Sequence, residues 1–379
     1  MKITKITPHI LYNAISDLVF VKVETDEPGV YGWGECSLPA RARAVAGAVN
    51  DLAATIDGYD PERVEWVWQR MYRHGYWRGG PVQTSALSGI DMALWDIRGK
   101  LANKSVAELL GGPVRDKVKA YINLGLADEP EVFAERARVA LEHGFKTVKI
   151  YPLPAVALTD GRAAVRHTVA CCEAVRDVIG PDLDFAVDMH GRTGPALAAQ
   201  IEVALRDTAP AWLEEPVLPE SLSALRVLAE KSETPLAVGE RLFTRWGFQQ
   251  VLQDGSVGII QPDPANAGGI SELVRIAAMA EMHGVSFAPH NPNGPIQAAA
   301  SLNLAAYAQS FSMLETRYDC REWTGELGTY VPTIDADGYL PLPKGPGLGI
   351  DIDEDFLAAQ TEGKWIPESF RADGSIGDW

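Results

Sequence analysis

The chain has 379 residues, 46% of them hydrophobic and 22% charged, which is the balance of an ordinary globular protein. Its formal net charge of −17, from 51 acidic against 34 basic residues, makes a surface that repels nucleic acid. No apolar run approaches the roughly 20 residues of a membrane span, and the opening MKITKITPHI has no signal-peptide core, so a cytoplasmic location is expected.

Residues 1–35 alternate apolar and polar positions, as in LVFVKVET at 18–25, turn through Glu27, Pro28 and Gly29, and resume in VYGWGE. That period of two predicts an antiparallel meander. From Ala44 to about Leu110 the period becomes helical, through AVAGAVNDLAATI, PERVEWVWQRMY and SALSGIDMALWDIRGKLA, and GGP at 111–113 ends the run. Residues 1–115 are therefore expected to form an α+β module. Alternation of strand and helix begins at Lys117: VKAYINLG, a helix at 130–143, KTVKIY at 146–151, the helix AAVRHTVACCEAVRDVI, then FAVDMH at 185–190. Further short apolar runs follow at AWLEEP, LAVGER, VGIIQPD, VSFAPH and FSMLE, with helices predicted at 195–207, 220–231, 244–253, 269–282 and 295–308. Such alternation implies a parallel barrel over 116–325. The Gly- and Pro-rich segment 326–379 is too short to fold alone and should return to complete the first module. Cys36, Cys171, Cys172 and Cys320 are read as reduced packing residues.

Each of the barrel runs ends in an ionisable residue, and a buried strand that ends this way points it into a mouth. Asp188, Glu214 and Glu240 stand 26 residues apart in succession, the pitch of one strand–helix unit. Three carboxylates gathered there repel one another unless a cation lies between them, and hard oxygen ligands suit Mg²⁺. A lone acid at a strand end more often caps a helix or joins a salt bridge, but equal spacing of three argues against that. Glu215 should face the other side of its strand. Asp263 and His290 end neighbouring strands, where a carboxylate can fix the tautomer of an imidazole and make it a general base. His190, two residues past Asp188, is predicted to share its side and to act as acid or as a fourth metal ligand. Glu315 could meet the substrate carboxylate or the developing oxyanion, or form a plain salt bridge. Arg41 and Arg43 in PARARA, with Arg192 and Arg241 beside the ligand strands, are candidates to close over a substrate or to be structural ion pairs. Loops near 12–18 and 36–43 are the candidates for specificity.

With these residues placed, the chain resembles the mandelate racemase subgroup of the enolase superfamily over almost its whole length. The motifs that carry this are GWGE at 32–35, YWRGG at 76–80, SALSGIDMALWDIRGK at 85–100, LLGG at 109–112, DMHGR at 188–192, EEPVLPE at 214–220, GERLFTRW at 239–246, QPDPANAGG at 261–269, APHNPNGPI at 288–296 and GPGLGIDID at 345–353. Within the subgroup it is most similar to the D-galactonate dehydratase-like sugar acid dehydratases, because the third strand reads Asp-x-His and the second lacks paired lysines, reading Lys149, Ile150, Tyr151. The resemblance implies a modified TIM (β/α)7β barrel with an N-terminal α+β cap and one Mg²⁺ per subunit on Asp188, Glu214 and Glu240. It further implies α-proton abstraction by His290, an enediolate of the kind known for the superfamily, loss of the β-hydroxyl assisted by His190, and a homo-oligomer such as an octamer. The product would be a 2-keto-3-deoxy sugar acid. Tyr151 is a poor base near neutral pH, which disfavours two-base racemisation, and it is instead a candidate donor to substrate. Asn291 lies where substrate hydroxyls could be read. Epimerisation or cycloisomerisation of a sugar acid, and a non-catalytic sugar-acid-binding protein, are the alternatives.

Overall fold

In the computed structural model, residues 1–12, 17–157, 161–317, 327–329, 332–359, 368–371 and 373–378 are described. The first sheet is antiparallel, in the order β1 (Ile3–Leu11), β2 (Leu18–Thr25), β3 (Tyr31–Glu35), as the period of two requires. Helices α1 (Ala42–Ile56), α2 (Val64–His74) and α3 (Pro81–Ala102) follow it. The glycines of GWGE have a steric reason: a Cβ on Gly32 would lie 2.1 Å from the Ala93 carbonyl oxygen, and one on Gly34 1.8 Å from that of Gly89. Only bare backbone lets α3 lie this close to β3. Asp96 of α3 accepts the Trp33 N–H at 3.0 Å, satisfying a buried donor of the strand. A short helix, α4 (Val106–Leu109), leads to the second sheet.

That sheet holds eight parallel strands: β4 (Lys117–Leu126), β5 (Thr147–Tyr151), β6 (Asp184–Asp188), β7 (Leu213–Glu214), β8 (Leu236–Val238), β9 (Ile259–Ile260), β10 (Ser286–Phe287) and β11 (Leu314–Arg317). Seven helices connect them: α5 (Pro130–Glu142), α6 (Arg162–Ile179), α7 (Pro195–Leu205), α8 (Leu222–Ala229), α9 (Thr244–Gln253), α10 (Gly269–His283) and α11 (Pro295–Tyr307). The strands run in chain order from β4 to β10, and β11 lies on the far side of β4. A bridge from Phe287 to Phe311 brings the two edges together, with Phe287 donating to the Ser310 carbonyl at 2.9 Å. This is a (β/α)7β barrel.

Inside the ring, Tyr121, Ala186, Trp212 and Ala237 pack into a small separate cluster. Ala186 and Trp212 each lie two residues before Asp188 and Glu214, so this cluster is the floor beneath the carboxylates. The remaining described segments divide between the two modules, with Arg371 donating to the Val156 carbonyl of the barrel at 3.0 Å. Strand β12 (Tyr339–Pro341) pairs antiparallel with β4, and Asp351 accepts the Tyr31 hydroxyl at 2.6 Å. Leu348 donates to Asp96 at 2.9 Å, and Glu354 of the last helix, α12 (Glu354–Ala359), bridges to Lys22 of β2. Cys36, Cys171 and Cys172 are buried free thiols; Cys320 lies outside the described residues. None of the described helices is long and apolar enough to cross a membrane.

Candidate active site

Asp188 closes β6, Glu214 closes β7, and Glu240 stands two residues beyond β8. One carboxylate oxygen from each lies within 4.8 Å of the other two. Burial raises the pKa of all three, and mutual repulsion raises it further, with Lys149 pulling the other way. Two buried acids and the partly buried Glu240, with hard oxygen donors at this spacing, fit a divalent cation such as Mg²⁺. Glu215, as its position implies, faces elsewhere: its carboxylate accepts the Gly239 N–H at 2.9 Å, and burial together with Glu240 raises its pKa to about 8.

Lys149 is the residue that sequence reasoning left without a role. It lies in β5 with 1% of its side chain exposed, and its ammonium bridges Glu214, Glu315 at 2.9 Å and Asp188 at 3.7 Å. The signal was a lysine inside the apolar run KTVKIY, which is costly unless its charge is paired. Glu214 is held at its other oxygen by Trp212 at 3.0 Å and Gln261 at 2.7 Å. Glu315 accepts from Asn123 at 3.0 Å as well. Burial alone would raise the Glu315 pKa, but Lys149 and His290 bring it down to about 2. Glu315 is the second residue of β11, not its end as the run FSMLE suggested.

Asp263 and His290 meet as expected: Asp263 Oδ2 is 2.8 Å from His290 Nδ1, and Oδ1 accepts the Ala265 N–H at 2.6 Å. An ionised Asp263 fixes the proton on Nδ1 and leaves Nε2 to the mouth. There Nε2 is 3.2 Å from Glu240 Oε2 and 3.9 Å from Glu315 Oε2. Burial pulls the His290 pKa down, but Glu240, Asp263 and Glu315 outweigh it and raise the value to about 10.

His190 reaches the same place by a different route from the one strand alternation predicts. Pairing stops at Asp188, and His190 takes a left-handed φ of 52° while its N–H donates to Asp188 Oδ1 at 2.7 Å. The turn, not the strand, sets its Nε2 4.0 Å from Glu240 Oε1. The two imidazoles thus approach the two oxygens of one carboxylate. Burial lowers the His190 pKa to about 4, so its ring is neutral near pH 7. Its ring lies 4.7 Å from that of Tyr151, whose hydroxyl is buried and has no hydrogen-bond partner among the described residues. Burial also raises the Tyr151 pKa above its already basic value, which keeps the hydroxyl protonated. Arg192 stacks on Tyr151 at 4.7 Å and donates to the Leu153 carbonyl at 2.7 Å.

Two residues expected at the substrate have partners within the protein. Asn291 spends its amide on the wall, donating to the Glu315 carbonyl at 2.9 Å and accepting from Ser301 at 3.2 Å, while its N–H donates to Glu315 Oε2 at 3.1 Å. It supports Glu315. Arg41 is exposed and donates to the adjacent Ala40 carbonyl at 2.9 Å, because it stands at the solvent-facing start of α1. Its loop does meet the barrel, through Ser37, whose carbonyl accepts from Asn266 at 2.9 Å. Arg241 lies 3.9 Å from Glu220 with 40% of its side chain exposed. Of the loop 12–18, residues 13–16 lie outside the described residues.

Comparison with known proteins agrees with this fold. Residues 132–356 match the enolase C-terminal domain-like family and residues 9–111 the mandelate racemase/muconate lactonizing enzyme N-terminal domain. The chain is 42% identical over 388 residues to a D-galactonate dehydratase of Xanthomonas oryzae pv. oryzae (strain PXO99A), covering 100% of both. Among solved structures, an enolase superfamily member from Salmonella Typhimurium superposes with a TM-score of 0.89 at 30% identity, covering 94% of this chain and 97% of that one. The 3,6-anhydro-D-galactonate cycloisomerase from Zobellia galactanivorans gives 0.86 at 30% identity, covering 95% and 99%. The chain is an enzyme and belongs to the mandelate racemase/muconate lactonizing enzyme family of the enolase superfamily.

Proposed function

We propose that the protein dehydrates an aldonic acid of the galactonate type to a 2-keto-3-deoxy acid. The observation that carries this reading is the pair of histidines, His190 and His290, placed at the two oxygens of Glu240 beside the carboxylate cluster. One imidazole can remove a proton while the other delivers one, as β-elimination needs. Mg²⁺ held by Asp188, Glu214 and Glu240 would supply neutralising charge to the substrate carboxylate as its α-proton leaves. A cation on Glu240 would offset the pull that keeps His290 protonated, leaving Nε2 free to take that proton, with Asp263 holding Nδ1–H and stabilising the imidazolium that results. Glu315, held by Lys149, Asn123 and Asn291, lies on the same side of the mouth and orients the reacting carboxylate. His190, carrying a second ring proton once the anionic substrate lies beside it, gives that proton to the β-hydroxyl, which departs as water. The C2–H and C3–O bonds are lost, and the enol left behind tautomerises to the 2-keto acid. The buried hydroxyl of Tyr151, beside His190, offers a donor to the polyol.

The name of the 42% identical relative favours elimination, whereas the cycloisomerase neighbour keeps ring closure as a second reading. A panel of aldonic and aldaric acids incubated with Mg²⁺ and assayed for 2-keto-3-deoxy acids tests the choice. Keto acid formation from galactonate or a stereoisomer, abolished by chelator, is expected. No keto acid from any substrate, or deuterium entering recovered substrate without elimination, would overturn it.

A further inference from the structure

The loop between β10 and α11 carries His290, and its far end is held by a residue of the other module. Glu35, at the end of β3, is fully buried and accepts the N–H of Gly294 at 2.7 Å and of Gln297 at 2.9 Å, with Ser37 donating to Oε1 at 2.7 Å. These are the N-cap and third positions of α11, whose own N-cap residue is a glycine with no side chain to offer. A Cβ on Gly294 would lie 2.8 Å from both Glu35 oxygens, so the glycine is what admits the carboxylate. Gln297 passes the constraint on. Its Oε1 accepts the Asn293 N–H at 2.9 Å, its Nε2 donates to the His290 carbonyl at 3.3 Å, and its side chain also hydrogen-bonds Asp263.

We propose that Glu35 is a positioning residue for the base, fixing the His290–Gly294 loop and, through Gln297, the mutual placement of His290 and Asp263. The inference rests on the reading of His290 as base. Glu315 and Arg317 hold the near part of this loop at Asn291 and Pro292, so Glu35 fixes its far end, and proton abstraction is sensitive to errors of an ångström in the base.

The test compares Glu35→Gln and Gly294→Ala with Asp91→Asn. Asp91 is an equally buried carboxylate that accepts from Ser271 N at 3.0 Å and Ser271 Oγ at 2.5 Å at the start of α10, so its loss tests a purely structural cap. Glu35→Gln and Gly294→Ala should lower kcat roughly 10–100-fold with KM and the Mg²⁺ dissociation constant unchanged. Asp91→Asn should lose comparable thermal stability and keep kcat. Independently of turnover, the proton on His290 Nδ1, assigned in NMR spectra of Mg²⁺-loaded protein by its disappearance in His290→Asn, should shift or broaden in Glu35→Gln and stay in place in Asp91→Asn. Equal kcat losses in all three variants, or an unmoved His290 signal in Glu35→Gln, overturn the inference. Should wild type dehydrate no sugar acid, the proposed function fails, and the NMR signal alone then decides the role of Glu35.

Discussion

Replacing Lys149 by Met should destabilise the protein and tighten its hold on Mg²⁺ at the same time. The ammonium lies 2.9 Å from Glu315 and 3.7 Å from Asp188, and it also bridges Glu214. At an effective dielectric of about 20, charge pairs at these separations are worth roughly 4–6 kcal/mol each before the cost of burying the ammonium is subtracted. Breaking a buried ion pair from one side costs about 3–5 kcal/mol net, since it strands the partner charge. For a protein of this size that is a fall of roughly 4–6 °C in Tm. The carboxylates Lys149 offsets are, however, also those proposed to hold the dication. Removing a competing positive charge should strengthen Mg²⁺ binding at least ~10-fold, about 1.4 kcal/mol. The assay is thermal unfolding of wild type and Lys149→Met in chelator and in saturating Mg²⁺, with calorimetric titration of the ion. The gap in Tm should be wide in chelator and narrower with Mg²⁺. A Tm unchanged in chelator, or weaker Mg²⁺ binding in the variant, would refute the reasoning.

The two histidines should separate by isotope exchange. His190→Asn should lower dehydration roughly 10²–10⁴-fold yet still exchange the α-hydrogen of substrate with deuterium from solvent, while His290→Asn should lose both; exchange surviving in His290→Asn would exclude it as the base. The pH dependence of stability follows from the His290 pKa, which is raised from its usual 6.5 to about 10 in the metal-free site. A group raised on folding contributes stability that is complete below its unfolded pKa and is lost as pH rises through the folded one. In chelator, the excess Tm of wild type over His290→Asn should therefore be largest below about pH 6.5 and vanish by about pH 11. A difference that instead grows with pH would show that burial outweighs Glu240, Asp263 and Glu315.

Much of this protein is readable from local pattern, because the physics there is local. The switch from a period of two to strand–helix alternation marks the two sheets, and acids recurring at the barrel's own pitch mark the strands whose ends gather Asp188, Glu214 and Glu240. Asp263 and His290 could be paired because consecutive strands of a parallel sheet are neighbours. What a side chain meets across the barrel was decided only by closure of the ring. Closure brings Lys149 from β5 to Glu315 on β11, turns Asn291 into a support for Glu315, and leaves Arg41 in solvent. His190 reaches Glu240 from a left-handed turn that strand alternation does not foresee. The contact of Glu35 with Gly294 spans 259 positions of sequence, and no periodicity carries information over that distance. Strand ends and their charges follow from neighbours in the chain; which charges offset one another follows from neighbours in space.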